Sequence, residues 1–165
     1  SKLCTTIEQR MPPPYDVGKV QIDYPIVYNE SMNTVLIQEL MRFNKLGQVI
    51  KQSLRDMKRS IRGELVMSVE LEALGLAMFN GQVPAMWHKA AYPSLKDLSS
   101  WVNDLVQRFQ FMDEWIAQGA PAVYWISGFF LAGFYQNRLL FSHTSSPAKC
   151  KTRSPLPQRS RSACR

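Results

Sequence analysis

Apolar residues recur three and four places apart along two long stretches of the chain. In the first, Leu36, Leu40, Phe43, Leu46, Ile50, Leu54, Met57, Ile61 and Leu65 share one helical face. Asn29 or Ser31 supplies a capping side chain for its start. Gly47 is a weak point inside the helix, and Gly63 breaks or kinks it. In the second, Leu98, Trp101, Leu105, Phe109, Met112 and Ile116 form the stripe. Tyr92-Pro93 forces an extended residue before it. Ser94 can cap it, with Asp97 as the partner in a weak capping box, and Gly119 and Pro121 close it.

A shorter helix lies between the two. Ser68 is a good N-cap, Glu70 and Glu72 sit where the helix dipole favours acids, and Val69, Leu71, Leu74 and Met78 supply its buried side. Asn80-Gly81 ends it and Pro84 keeps it ended. Pro84 to Trp87 reads as a connector with one large apolar anchor, and His88 as a surface or packing histidine.

The flanks have a different character. Residues 1–28 carry Pro12-Pro13-Pro14 and Pro25, which predicts an extended lead-in, with a short strand where Ile22, Tyr24 and Ile26 alternate. Val123 to Ile126 is β-branched and aromatic and is a candidate strand. After Phe130 the character changes: Ser142 to Arg165 is Ser, Pro, Lys and Arg with hardly any large apolar residue beyond Leu156, and 131–165 is expected to be a divergent, disordered tail. The expected fold is mainly α: long amphipathic helices in 29–130, short extended segments, and a disordered basic C-terminal tail.

Charge adds little to this picture. The net charge of +7 looks like a nucleic-acid signal, but residues 1–137 hold 13 Lys/Arg and 13 Asp/Glu. The excess lies in residues 138–165, with seven Lys/Arg and no acid. Three cysteines, Cys4, Cys150 and Cys164, make neither a metal pair nor a disulfide framework, and a reduced intracellular compartment is expected. The start has no signal-peptide core and no Met, as expected of a piece of a longer protein. The uncharged run between Glu114 and Arg138 is interrupted by Pro121, Gly119, Gly128 and Gly133. A spanning helix wants roughly 20 predominantly apolar residues, so a buried segment packed on protein is the expected reading.

Catalytic devices are not found. Gly18-Lys19 is followed by Val20, so no phosphate-cradling loop can be assigned. Glu70 and Glu72, two apart, do not face each other on a helix. No catalytic, cofactor-binding or metal-ligating residue is expected. The candidate residues are for packing or interfaces: Leu36, Phe43, Leu54, Trp87, Trp101, Phe109, Trp115 and Trp125. A basic row, Lys51, Arg55, Lys58 and Arg62, runs beside the first stripe. It reads as a solvated flank or, more sharply, as a contact for an acidic partner; no interleaved aromatic platform supports nucleic acid.

Several blocks in fixed order resemble the C-terminal region of dynein heavy chains of the axonemal type. They include Met11-Pro12-Pro13-Pro14-Tyr15-Asp16, Tyr24-Pro25-Ile26, Ser31-Met32-Asn33-Thr34-Val35-Leu36 and Arg42-Phe43-Asn44. Val66-Met67-Ser68, Glu70-Leu71-Glu72, Tyr92-Pro93-Ser94-Leu95-Lys96 and Trp125-Ile126-Ser127-Gly128-Phe129-Phe130 continue the set. The resemblance covers about Met11 to Phe130. It implies the end of the sixth AAA+ module and the start of the C-terminal domain of a minus-end-directed microtubule motor that drives ciliary or flagellar beating. ATP and Mg would be bound in earlier modules, leaving this region a structural and regulatory role without a cofactor. The implied partners are the rest of the heavy-chain ring, intermediate and light chains, and microtubules through the whole motor. The implied location is the cytoplasm and cytoskeleton, in the axoneme of a cilium or flagellum, with no membrane and no nucleic acid.

The sequence departs from the family pattern at Gly47, usually Leu, at Glu64, at Asp97, usually Pro, and after Phe130. The tail has the look of a retained intron or shifted frame. The alternative from another class is a basic module that binds nucleic acid or an acidic partner through the tail and the Lys51–Arg62 row.

Overall fold

In a computed structural model of the protein, residues 2–130 are described, and within them six α-helices and one 3-10 turn account for the regular structure. The helices are α1 (Lys2–Arg10), α2 (Val17–Asp23), α3 (Ser31–Ile61), α4 (Val69–Phe79), α5 (Ala85–Ala90) and α6 (Leu98–Gln118). The mainly α expectation therefore holds for the described residues, among which no strand occurs. The expected disordered tail lies outside them.

α3 is the axis of the fold, and α1, α2, α4, α5 and α6 all pack on it. Its stripe explains why: Leu36, Leu40, Phe43, Leu46, Ile50 and Leu54 have no solvent exposure. The helix starts after Glu30, whose side chain makes no capping bond. Instead Asn33 Nδ2 donates to Glu30 Oε2 at 2.7 Å and to the Pro25 carbonyl at 3.0 Å, fixing the entry from outside. α3 ends at Arg62, and Gly63 turns the backbone with φ 79°. Leu65, counted in the stripe, lies beyond that stop and is exposed.

The lead-in differs from the extended reading. Residues 2–10 and 17–23 are helical, and no strand forms at Ile22, Tyr24 and Ile26. Asp16 explains the second helix: its carboxylate accepts from Lys19 N at 3.2 Å, a side-chain N-cap. The proline run between the two helices has no regular structure, and Asn44 holds it. Asn44 Nδ2 donates to Tyr15 O at 2.8 Å while its Oδ1 accepts from Tyr15 N at 2.7 Å, so one side-chain amide satisfies both backbone groups.

α4 starts where predicted, with Ser68 Oγ accepting from Leu71 N at 3.3 Å. It stops at Asn80-Gly81, where Gly81 has φ 68°. Gly75 lets it lie close on α3: a Cβ there would stand 3.1 Å from Met57 Cε. The connector after Pro84 is the helical turn α5, which delivers Trp87 into the core. α6 is capped by Asp97, which accepts from Ser100 N at 3.3 Å, rather than by Ser94. Ser94 Oγ accepts from Lys96 N instead, turning the backbone before the helix. Residues 123–126 form no strand; the described residues close in the 3-10 turn Ile126–Gly128, because no neighbouring strand offers them a ladder.

Candidate functional site

Two buried carboxylates organise the side of α3 that faces the last described residues. Glu39 lies in the N-terminal half of α3 and has no solvent exposure. Its Oε2 accepts from Phe130 N at 2.7 Å, and its Oε1 from Arg42 Nη1 at 3.1 Å. Burial pushes the Glu39 carboxyl above its ordinary range, opposed by the Phe130 N–H, Arg42 and Arg108. Asp104, on α6, accepts from Arg108 Nε at 2.8 Å and Lys96 Nζ at 2.6 Å. Burial acts to raise its carboxyl, but those two cations together bring it below its ordinary range.

Arg108 links the two. Its guanidinium carbon lies 3.6 Å from the centre of the Tyr92 ring and 5.3 Å from that of Trp125. Such stacking suits a planar cation that is weakly hydrated. Around it runs a continuous set of rings: Trp87 on Trp101 (5.9 Å), Trp101 on Tyr92 (6.0 Å), Tyr92 on Phe130 (5.7 Å), Phe130 on Phe43 (4.8 Å) and Phe43 on Phe109 (5.2 Å). A second group gathers Trp115, Phe111, Phe129 and Tyr124. Trp87 also donates its indole N–H to Ser53 Oγ at 2.9 Å.

These contacts place the expected packing residues. Leu36, Phe43, Leu54, Trp87, Trp101, Phe109 and Trp115 are buried in the protein's own core, and Trp125 is half-buried at its edge. Sequence reasoning misses Glu39, Asp104 and Arg108, which look like surface charges when read one at a time. Their spacing to Arg42 and to each other, three and four residues, is the available signal.

The outward-facing candidate surface is on α4. Its sequence is apolar apart from Glu70 and Glu72 in the first turn. Leu71, Leu74 and Met78 do turn inward, yet Val69, Leu76 and Phe79 are 82%, 61% and 88% exposed. Val69, expected on the buried side, is not there. Positions 69, 76 and 79 share one helical face, in which exposed Glu72 also stands, and Val66 and Met67 in the preceding loop are exposed as well.

The basic row is partly used inside the fold. Lys58 pairs with Glu8 of α1, Lys51 Nζ donates to Pro12 O at 2.6 Å, and Arg62 pairs with Glu64 at 2.9 Å. The row holds α1 and the proline run, which explains its helical spacing. The reading of a basic nucleic-acid or acidic-partner module gains no support from it. No group of three His, Cys, Asp or Glu side chains among the described residues could hold a metal, and no described helix is long and apolar enough to cross a membrane.

Residues 1–139 match the C-terminal domain of dynein heavy chains. The chain belongs to that family. The match extends the resemblance at both ends, beginning at residue 1 and passing Phe130. Among individual dyneins, the protein is 50% identical over 133 residues to dynein axonemal heavy chain 1 of Rattus norvegicus, with 78% of its length covered. It is 48% identical over 141 residues to dynein axonemal heavy chain 3 of Mus musculus, and 46% identical over 133 residues to dynein axonemal heavy chain 12 of the same species. The matched parts cover 82% and 78% of its length. It spans only 3% to 4% of the length of these relatives. Within this dynein domain, three of the segments that carry the sequence resemblance help build the core: Arg42-Phe43-Asn44, Tyr92-Pro93 and Phe129-Phe130 lie in the contacts described above, whereas Val66 and Met67 of another are exposed.

Proposed function

We propose that this protein is the non-catalytic C-terminal region of an axonemal dynein heavy chain, and that it docks through the outer face of α4 on the remainder of the heavy-chain ring. From there it tunes the output of an ATP-driven, minus-end-directed microtubule motor. The observation that carries the docking role is the exposure of Val69, Leu76 and Phe79 together on one face of α4, beside Glu72. An apolar face of that kind stabilises a protein when another surface covers it. The rest of a much longer polypeptide is the natural cover, since this domain occupies 3% to 4% of its relatives.

In this reading ATP and Mg are bound by earlier modules. Intermediate chains, light chains and microtubules meet the whole motor rather than this domain. The place of work is the cytoskeleton of the cilium or flagellum. Titration of Mg-ATP into the purified protein tests the non-catalytic role: no saturable heat is expected, and tight binding would overturn it.

A further inference from the structure

A hollow of about 370 Å³ opens between the proline run and α3. Phe109 and Pro12 to Pro14 line it, with Phe43 beneath them and closed to solvent. The opposite wall is Gly47, and a Cβ built there would meet nothing within 4 Å. The hollow is therefore left open on the Gly47 side. Its volume falls in the range of small-ligand sites, about 300–1,000 Å³.

The rim of the hollow has a sign. Lys51 and Arg55 line it and no carboxylate does. Lys51 Nζ is steered to the edge by its bond to Pro12 O at 2.6 Å, and Arg55 by its Nε bond to Lys51 O at 3.2 Å. Neither cation has a carboxylate partner among the described residues, whereas Lys58 and Arg62 on the same flank each have one. Asn44, also in the lining, has its amide committed to Tyr15 and so keeps the wall rigid.

We propose that this hollow binds a small apolar group of aromatic size that carries a carboxylate. The ring lies against Phe109 and the prolines, and the carboxylate meets Lys51 and Arg55. This site is independent of the docking face on α4, and its failure would leave that reading untouched.

The test is an amide-shift titration of the isotope-labelled full-length protein with 3-phenylpropionate, read at Asn44, Gly47 and Gln48. Saturable shifts are expected. The neutral 3-phenylpropan-1-ol and the variant Arg55→Gln should each weaken binding about two- to five-fold, the range of an exposed ion pair. Gly47→Leu places a side chain in the hollow and should weaken binding about ten-fold or more, whereas Gly47→Ala, which adds only a methyl group, should retain it and so controls for effects on the helix. The blocked peptide N-acetyl-Asp-Phe-amide carries the same chemistry. Binding tighter than the free acid identifies a protein segment as the source, and weaker binding identifies a free small acid. Absence of saturable shifts with both probes, or unchanged binding to Gly47→Leu, would overturn the proposal.

Discussion

The Glu39 carboxylate accepts a hydrogen bond from the backbone N–H of Phe130 at 2.7 Å, joining the N-terminal half of α3 to the last described residue across 91 positions of sequence. The bond satisfies a buried donor at a point where the backbone has left regular structure and offers no partner of its own. Arg42 supplies the countercharge. Glu39→Leu therefore leaves the Phe130 N–H unmet and should cost about 1–3 kcal/mol, seen as a lower urea midpoint.

Glu39 also sets a dependence on pH. Burial raises its carboxyl above the ordinary 4.5, so the folded protein holds this proton more readily than the unfolded one. The stability it contributes is complete below 4.5 and declines as pH rises through the raised folded value. Glu39→Gln should remove that decline. Urea midpoints of the two proteins, measured from acid to neutral pH, should diverge in slope; parallel curves would show that Glu39 does not titrate in this way.

Asp104 has the opposite sign. Burial works to raise it, but Lys96 and Arg108 hold it below the ordinary 3.8. Here the unfolded protein binds the proton more readily, so the stability is present above 3.8 and is lost as pH falls through the lower folded value. Asp104→Asn leaves the Arg108 guanidinium buried against Tyr92 without its countercharge. A loss of about 3 kcal/mol is expected, as for one broken partner of a buried pair. Lys96 is half exposed, so Lys96→Gln should cost less than about 1 kcal/mol. Thermal unfolding of the two variants checks the ranking.

Gly47 and Gly63 should respond to alanine in opposite directions. Gly47 sits inside α3 with free space at its Cβ. Alanine there should raise stability by about 1 kcal/mol through helix propensity. Gly63 holds φ 79° at the end of the same helix. A side chain at that angle is strained, and Gly63→Ala should lower stability by about 1 kcal/mol. Urea midpoints of the two variants provide the comparison.

The parts of the fold legible in the sequence are those written in short-range code. The α3 and α6 stripes, the Ser68 cap and the glycine stops at Gly63, Gly81 and Gly119 all depend on residues within a few positions of one another. The lead-in is not extended because the three prolines govern only their own neighbourhood, and Asp16 carries a cap signal for the helix that follows them. The aromatic run at 123–126 has strand-like composition, but β propensity acts only where a partner strand exists. The Glu39–Phe130 and Asp104–Arg108–Tyr92 contacts depend on which helices meet, information that no local window contains. On α4 the buried Leu71, Leu74 and Met78 are legible in the sequence, whereas the exposure of apolar Val69, Leu76 and Phe79 depends on how the helix is laid on α3.

Docking through α4 is the central claim, and hydroxyl-radical footprinting measures it directly. Met67 and Phe79 are exposed in the isolated protein, and both side chains should oxidise readily there. In an intact heavy chain carrying this domain, both should become several-fold less reactive, while buried Met112 stays unreactive in both settings. Equal reactivity of Met67 and Phe79 in the isolated protein and in the intact heavy chain would contradict the docking role.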